Sequence, residues 1–391
     1  MKKTIGVLTA TRAEFGLLKP LIINLMNEDF CDVKVLVTGA HLSPIFGNTY
    51  KEIEESNIPI EVKIECLTDG DSPRAISDNM ALALTGFAKY FEENKLDLLI
   101  VLGDRYETLA VCIAAMNAEI PIAHIHGGEA TEGLIDEAIR HSITKMSHLH
   151  FPCTEVYRNR IIQMGEQPEY VFNVGALAVE NINKTDFVSS EELGHELGID
   201  LNRPYAVVTF HPVTLEENSG VTQFDNLLDA LSEYSNMSFI ITKANADAGG
   251  RHINNRIDVF AQGHSNVAAV TSLGVRRYLS AVKNSAVVIG NSSSGIIEAP
   301  CLHVPTVNIG DRQKGRLMPD SVICCGTDKR EIICAIDRAI SEDFRNLVNN
   351  MTNPFGEGAT SESITKIIRS VFDKYGDLRV KKHFYDFKEE E

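Results

Sequence analysis

The chain alternates short, unbroken apolar runs with longer stretches in which apolar residues recur at helical spacing. The apolar runs predict buried strands, and in the first half they lie at 4–10, 33–39, 96–104, 120–126 and 171–175. Amphipathic stretches such as LLKPLIINLM and DEAIRHSITKMSHL separate the runs and predict helices. This alternation is typical of a parallel sheet that is covered by helices on both faces.

A polar, Pro-containing region at about 181–204 interrupts this pattern, which then starts again. Five further apolar runs predict strands, at 205–211, 237–244, 266–272, 286–292 and 304–310. We therefore predict an α/β protein with two doubly wound halves, one over 1–180 and one over 181–365. An amphipathic stretch near 360–375 predicts a final helix, and residues 366–391 are assigned to this helix and a charged tail.

Length, charge and cysteine content narrow the class of protein. A chain of 391 residues agrees with two or three domains at ~150 residues each. Its formal charge of −17 repels nucleic acid and anionic membranes, yet it allows a small anionic ligand. The sequence has no signal segment and no apolar run near the ~20 residues of a membrane span. Eight scattered cysteines without a Cys-x-x-Cys pattern fit reduced, buried thiols in a cytoplasmic protein.

Ligands of open α/β sheets bind at the carboxyl ends of the strands, so two facing sheets predict a cleft lined by strand ends. The first predicted strand runs into TRAEFG, and the chain has neither the dinucleotide-binding nor the P-loop glycine pattern. Arg12 begins a helix there, where it can bind a phosphate or belong to a solvated capping turn. Asp104 and Arg105 follow the third predicted strand. They can act as an acid/base group and an anion clamp, or as an N-cap and a surface ion pair.

The next strand ends in HIHGGE. His124 and His126 are expected on the same strand face, a spacing that can bind zinc, although no third ligand is evident. The two glycines predict a loop whose backbone approaches a substrate closely, and Glu129 is then a candidate for proton transfer. No acidic metal cluster stands out, so no metal is expected.

Asp136 opens a predicted helix that also carries Arg140 and His141. Asp136 and Arg140 are four residues apart on one helix face, so an ordinary ion pair between them is the alternative to a functional role.

The second half repeats this arrangement. His211 follows a predicted strand, where it is either a ligand contact or a satisfied core residue. The segment GNSSSGIIE combines a strand end, three serines and a helix start, which together favour a phosphate site. Glu298 lies one turn into that helix and can accept hydrogen bonds from a ribose, although a capping box is the alternative. Arg312 and Arg316 follow the next strand and supply cations.

Taken together, these motifs resemble a known family. TRAEFG, VLGDRYE, HIHGGE, IDEAIRHSITKMSHLHF, FHPVT, KANADAG, GNSSSGIIE and NIGDRQKGR resemble the hydrolysing UDP-N-acetylglucosamine 2-epimerases of sialic and legionaminic acid synthesis. The resemblance runs from residue 1 to about 370. It implies the GT-B fold, in which two Rossmann-like domains face each other across a cleft and a C-terminal helix often returns to the first domain.

The implied reaction removes the proton at sugar carbon 2 and expels UDP, giving a glycal. Water then adds to give the 2-epimeric free sugar, which is N-acetylmannosamine when the substrate is UDP-N-acetylglucosamine. No cofactor is needed. The alternatives are the same reaction on UDP-2,4-diacetamido-2,4,6-trideoxy-glucose, and a non-hydrolysing UDP-N-acetylglucosamine 2-epimerase. Family members are commonly oligomeric, which implies a homodimer or homotetramer.

The resemblance also implies roles for individual residues. Catalysis or substrate contact is implied for Asp104, Asp136 and His211. Contacts to UDP or substrate are implied for Arg12, His41, Arg105, His141, Asn245, Ser292, Ser293, Ser294, Glu298 and Arg312. Many members have a catalytic Glu where this chain has His126, and the loop here is one residue longer. That role therefore falls to Glu129 or to His126, or the substrate differs.

Overall fold

The structure is a computed structural model that describes residues 2–386 apart from 69, 71, 132–134, 212–218, 244–249, 272 and 379–380. The chain divides into two compact units. The first unit consists of Met1–Asn181 and Phe355–Glu391, and the second consists of Ile182–Pro354.

The first unit is built on a parallel sheet of six strands. The strands are β1 (Lys3–Thr9), β2 (Cys31–Thr38), β3 (Ile60–Ile64), β4 (Leu98–Leu102), β5 (Ile122–Ile125) and β6 (Leu149–Phe151), in the order β3-β2-β1-β4-β5-β6. The α-helices that follow or connect them in the described residues are α1 (Arg12–Met26), α2 (Tyr50–Glu55), α3 (Pro73–Glu93), α4 (Tyr106–Asn117), α5 (Ile135–Met146), α6 (Glu155–Gln163) and α7 (Leu177–Asn183). This is the strand order of a Rossmann fold.

The second unit repeats the same topology. Its strands are β7 (Tyr205–Thr209), β8 (Ser238–Thr242), β9 (Val267–Val270), β10 (Val287–Gly290), β11 (Thr306–Ile309) and β12 (Val322–Cys325), in the order β12-β11-β10-β7-β8-β9. The helices are α8 (Ser190–Leu197), α9 (Ser219–Leu231), α10 (Gly250–Gly263), α11 (Gly274–Lys283), α12 (Ser294–Cys301), α13 (Lys329–Ile340) and α14 (Glu342–Asn350). Both units are therefore doubly wound, and the predicted fold class is confirmed.

The last helix, α15 (Thr360–Tyr375), packs in the first unit although it follows the second in sequence. Ile364 and Ile368 are buried against the α1 side of the first sheet. The Ser361 hydroxyl donates to Glu180 Oε1 over 2.6 Å, and Ala176 N–H donates to Phe355 O. These contacts place 355–365 in the first unit, whereas the sequence assigned this stretch to the second domain.

The apolar core of each unit lies on both faces of its sheet, because neighbouring strand residues point in opposite directions. In the first unit, Val7 packs with Leu18 of α1, whereas the next residue, Leu8, packs with Phe87 of α3 on the other face. In the second unit, Val208 belongs to the cluster that includes α9 and α13, and Val207 to the cluster that includes α11 and α12.

Three strands were missed by the sequence interpretation: β3, β6 and β12. β3 is an edge strand in which exposed and less exposed residues alternate. β12 and β6 are edge strands of only four and three residues, so none of the three gives a long apolar run. The run at 171–175 was wrongly predicted as a strand, since it makes only an isolated bridge between His150 and Val171.

None of the eight cysteines, all of which lie within the described residues, forms a disulfide. Cys324 and Cys334 are exposed, which corrects the expectation that the thiols are buried. Within the described residues, no helix combines the length and the apolar character needed to cross a membrane.

In both sheets, strands wind outward in opposite directions from a central pair. This switch point lies between β1 and β4 in the first unit and between β7 and β10 in the second. Ligands of doubly wound sheets bind at the carboxyl ends of such a pair. In this chain those ends lead into Arg12 and Asp104 in the first unit, and into His211 and Ser292 in the second.

Candidate active site

A buried arginine organises the first unit's strand-end residues. Arg140 of α5 is only 2% exposed. Its Nη1 donates to Glu129 O over 3.0 Å and to Glu137 Oε2 over 3.1 Å. Its Nη2 donates to Thr131 Oγ1 over 3.2 Å and also binds the Asp104 carboxylate. One side chain therefore joins the end of β4, the loop after β5 and α5.

Asp104 and Arg105 follow neither of the two sequence interpretations fully. Arg105, rather than Asp104, is the N-cap residue of α4, and its side chain pairs with the fully buried Glu107 at 2.7 Å instead of at the surface. Asp104 keeps 28% of its side chain exposed and pairs with Arg140. The Asp104 carboxylate is thus partly accessible and lies beside a buried cation.

The Gly-Gly-Glu loop is held tightly against the protein. A Cβ on Gly127 would lie 2.9 Å from His124 Nδ1, and one on Gly128, which has φ of 80°, would lie 2.5 Å from Tyr157 O. Arg160 Nη1 donates to Gly128 O over 2.5 Å. The glycines therefore allow close packing on β5 and α6, and the approach of this loop to a substrate stays a prediction.

His126 and Glu129 lie together in this loop. His126 comes after the end of β5 and has a left-handed backbone with φ of 63°. Its Nδ1 is 3.6 Å from Glu129 Oε1, and both side chains are largely buried. The expectation that His124 and His126 share a strand face is wrong, because the backbone turns at His126.

His124 is a core residue. Its Nε2–H donates to Gly103 O over 2.8 Å, which makes Nδ1 the acceptor for the Thr144 hydroxyl at 3.1 Å. Burial lowers the pKa of His124 to about 3, so the ring is neutral. With both nitrogens engaged it offers no electron pair to zinc, and the described residues contain no group of three His, Cys, Asp or Glu suited to a metal.

Helix α5 presents its first turns to this loop. Asp136 and Glu137 lie in its first turn, and Arg140 contacts Glu137 and Asp104 in place of the Asp136 pairing considered from the sequence. His141 Nε2 lies 3.0 Å from Glu137 Oε1. Burial raises the pKa of Glu137, but hydrogen bonds from Thr131 N–H and His141 outweigh it, so the pKa is lowered.

The turn after β1 is a capping box. Thr11 Oγ1 accepts from Glu14 N–H, and Glu14 Oε2 accepts from Ala10 and Thr11 N–H at 2.7 and 3.1 Å. Arg12 is 71% exposed and pairs with Glu52 at 2.9 Å. This geometry matches the capping-turn alternative and leaves the Arg12 guanidinium near the surface.

His41 is fully buried in the same unit. Its Nε2 lies 2.9 Å from Thr9 Oγ1 and its Nδ1 lies 2.8 Å from Thr49 Oγ1. Burial lowers the pKa of His41 to about 4. In this structure His41 joins the end of β1 to the segment before α2.

In the second unit, an asparagine closes the switch point. Asn291 Oδ1 accepts from His211 N–H, and Asn291 Nδ2 donates to His211 O, both over 2.8 Å. A Cβ on Gly290, which has φ of 137°, would lie 1.9 Å from Thr209 O, so only glycine fits where β10 meets β7. His211 is half-buried and is held at this point through its backbone.

The serine turn after β10 differs from a capping box. Ser293 is the N-cap of α12 but makes no side-chain cap hydrogen bond, and Glu298 stands five residues after it instead of three. Ser292 Oγ accepts from Ser294 N–H over 3.3 Å. Burial raises the pKa of Glu298, which lies beside the Ser294 hydroxyl and Tyr278. The capping-box alternative is therefore wrong for Glu298.

Two side chains from the turn after β11 contact the same point. Arg312 Nη1 and Gln313 Nε2 donate to Asn291 O over 3.0 and 2.8 Å. The structure thus brings His211, Ser292 and Arg312 together. Lys243 pairs with Asp258 at 2.7 Å, and Asn245 lies outside the described residues.

Sequence reasoning missed two residues that organise these sites. Arg140 was considered only as a partner of Asp136, and Asn291 was quoted within the serine motif without a role. A polar residue directly after a buried strand at the switch point is a signal that finds Asn291. For Arg140, the only sequence signal is a cation on the same helix as Asp136.

The fold and the two groups of strand-end side chains define a two-domain α/β enzyme of the GT-B class. A family model described as UDP-N-acetylglucosamine 2-epimerase matches residues 24–369, and the chain belongs to this family. It is a UDP-sugar 2-epimerase.

Several relatives share most of the length. The chain is 41% identical over 345 residues to the GDP/UDP-N,N'-diacetylbacillosamine 2-epimerase (hydrolyzing) of Campylobacter jejuni, covering 88% of this chain and 89% of that protein. It is 40% identical over 391 residues to polysialic acid biosynthesis protein P7 of Escherichia coli, covering 100% and 98%. It is 33% identical to the UDP-N,N'-diacetylbacillosamine 2-epimerase (hydrolyzing) of Legionella pneumophila, covering 95% and 97%.

Solved structures agree on the fold. The UDP-GlcNAc 2-epimerase of Neisseria meningitidis bound to UDP-GlcNAc superposes with a TM-score of 0.72 at 18% identity, covering 94% of this chain and 100% of that one. The Methanocaldococcus jannaschii enzyme in complex with UDP-GlcNAc and UDP superposes with a TM-score of 0.75 at 20% identity, covering 94% and 99%.

Proposed function

We propose that the protein is a hydrolysing 2-epimerase that converts UDP-N-acetylglucosamine and water to N-acetylmannosamine and UDP for sialic-acid-type sugar synthesis. The observation that carries the proposal is the Arg140-bound carboxylate of Asp104, beside the His126–Glu129 pair, in a chain of this family. Hydrolysis is supported by the two relatives named as hydrolyzing enzymes, at 41% and 33% identity. The sialic acid branch is supported by the polysialic acid biosynthesis protein, which matches the whole chain.

The chemistry needs one group to take the proton from sugar carbon 2 as the bond from carbon 1 to the UDP oxygen breaks. The electron pair of the C–H bond forms the C1–C2 double bond of the glycal, and the leaving electron pair goes to UDP. Water oxygen then adds to carbon 1, and a proton is delivered to carbon 2 on the opposite face. We assign this proton transfer to a set of titratable side chains: Asp104, Glu129, Asp136, His126 and His211.

Expelling UDP requires stabilisation of the diphosphate. In the second unit we assign this to the uncapped serine turn with Arg312, because a helix N-terminus and a guanidinium both attract phosphate oxygens. The assigned UDP contacts there are Ser292, Ser293, Ser294, Glu298, Arg312 and Asn245. In the first unit they are Arg12, Arg105 and His141. The burial of His41 between two threonines supports a structural role for it instead.

The second candidate is the same reaction on UDP-N,N'-diacetylbacillosamine, which is the UDP-2,4-diacetamido-2,4,6-trideoxy-glucose of the sequence analysis. It is favoured by the names of the Campylobacter and Legionella relatives. The two sugars differ at carbons 4 and 6. A site that hydrogen-bonds a substrate hydroxyl strongly rejects an analogue without that hydroxyl, whereas an apolar site rejects an added hydroxyl only weakly.

The test is to incubate the protein with each of the two UDP-sugars in deuterated water. The released sugar and the UDP-containing products are then identified by NMR, the latter through their phosphorus signals. The proposal expects free UDP and N-acetylmannosamine with deuterium at carbon 2. UDP release without this label would refute the elimination mechanism, and intact UDP-N-acetylmannosamine would indicate a non-hydrolysing enzyme. A kcat/KM that is higher for the diacetamido sugar would establish the second candidate.

A further inference from the structure

We propose that Arg140 is a positioning residue for proton transfer. It fixes the carboxylate of Asp104 and the loop that carries Glu129 in one arrangement. This inference rests on the proposed function, because the groups it aligns are those assigned to proton transfer.

The first argument is the completeness of its contacts. Arg140 is the largest fully buried side chain of the described residues. Burying a guanidinium is costly unless its charge and its donors are satisfied. Here two carboxylates, a hydroxyl and a main-chain carbonyl surround it, and they come from three separate chain segments. A rigid, planar set of donors that binds three segments fixes their spacing, which a flexible lysine does not do.

The second argument is the asymmetry of Asp104. Its Oδ2 is bound by Arg140, whereas Oδ1 has no hydrogen-bond partner within the described part of the chain. The side chain is 28% exposed while its partner is 2% exposed. Arg140 therefore holds the carboxylate from behind and leaves Oδ1 as the oxygen that can exchange a proton.

The third argument is the backbone of the loop. Arg140 Nη1 binds Glu129 O, and Nη2 binds Thr131 Oγ1 on the far side of Glu129. A displacement of the guanidinium thus moves Asp104 and the Glu129 backbone together. Alignment within a fraction of an ångström is what proton transfer to a bound sugar requires.

Several titratable groups of the described residues surround this cluster. Glu129 and His126 lie in the loop after β5, and His124 lies on β5 itself. Helix α5 carries Asp136, Glu137 and His141, and Arg105 follows Asp104 in sequence. His124 is neutral because burial lowers its pKa to about 3. Arg140 is the cation in direct contact with Asp104. Removing Arg140 therefore takes away the ion pair that orients the Asp104 carboxylate.

The experiment compares Arg140→Lys and Arg140→Met with a matched control, Arg160→Met. Arg160 also binds a carbonyl of the same loop, Gly128 O, over 2.5 Å, but it contacts no carboxylate of the site. For each variant, kcat, KM and the pH dependence of kcat/KM are measured with the nucleotide sugar that the wild type turns over. UDP affinity is measured by calorimetry, and folding is followed by circular dichroism.

Both Arg140 variants are expected to lose roughly 10²-fold in kcat, the lower end of what acid/base groups supply, while UDP affinity changes less than about threefold. Arg160→Met should lose much less in kcat than either Arg140 variant. If Arg140→Met does not fold, Arg140→Lys decides, since it keeps the charge and loses the planar geometry.

A wild-type kcat in a folded Arg140 variant would overturn the inference. So would an equal kcat loss in Arg160→Met, because that would indicate a general packing effect. If the wild type itself turns over neither nucleotide, the proposed function fails. That result is distinct from a failure confined to the Arg140 variants.

Discussion

Replacement of Asn291 by alanine tests whether the switch point of the second unit is held by one side chain. The change removes two hydrogen bonds of 2.8 Å, one to His211 N–H and one to His211 O. It leaves both backbone groups of a half-buried residue without these partners. At about 1 kcal/mol or somewhat more for each group, we expect a loss of roughly 2–3 kcal/mol in the free energy of unfolding.

For a domain of this size, such a loss lowers the melting temperature by roughly 4–10 °C. Calorimetry is the suitable method, because the chain has no tryptophan for fluorescence. Asn291→Asp serves as the comparison. It keeps the acceptor for His211 N–H, but it buries a charge and places a carboxylate oxygen against His211 O, so a destabilisation at least as large as that of alanine is expected. Its negative charge beside the serine turn should weaken UDP binding more than alanine does.

An Asn291→Ala protein that melts within 2 °C of the wild type and binds UDP equally well would refute this reasoning. It would mean that the sheet, and not the amide, holds the ends of β7 and β10 together.

Four further substitutions test the assigned roles and the protonation of Glu14. Asp104→Asn should reduce turnover by at least roughly 10²-fold while UDP affinity is kept, and unchanged turnover would rule out its role. Ser293→Ala and Arg312→Ala should weaken UDP binding by about tenfold or more in calorimetry, and an unchanged affinity would remove them from the UDP site. Burial raises the pKa of Glu14 from its usual 4.5 to about 7. Between these two values the folded state holds a proton that the unfolded state releases, so the free energy of unfolding falls as the pH rises from 4.5 to about 7. In urea unfolding, Glu14→Gln should therefore be more stable than the wild type at pH 8 and equally stable below about pH 4.5. A stability difference that is the same at both pH values would contradict the raised pKa of Glu14.

The repeated alternation of apolar runs and amphipathic stretches was sufficient to predict the fold, because central parallel strands are buried on both faces. Edge strands lack that signal, since β3 exposes every second side chain and reads as IEVKI. The stretch VFNVG has the composition of a strand but makes only one bridge, at Val171. Whether such a short segment forms a strand depends on its neighbours in space and not on its composition alone.

The candidate site was predictable as far as strand ends locate it. His211 and the serine turn meet because parallel strands bring their carboxyl ends together. The partner of Arg140 was not predictable in this way, since Asp104 is 36 residues away and the choice between Asp104 and Asp136 depends on how α5 lies against β4. The turn at His126 was likewise hidden, because a histidine with a positive φ has no distinct sequence signal.

The return of α15 to the first unit has a consequence for biosynthesis. The second unit is one continuous segment, 182–354, whereas the first lacks part of its core until Ile364, Ile368 and Phe372 have been synthesised. Domains tend to fold in the order in which they emerge from the ribosome. Here we expect the reverse, with the second unit completing its fold first while the first sheet waits for its last helix. A nascent chain stalled before α15 should accordingly protect the second unit from protease and leave the first one open to cleavage.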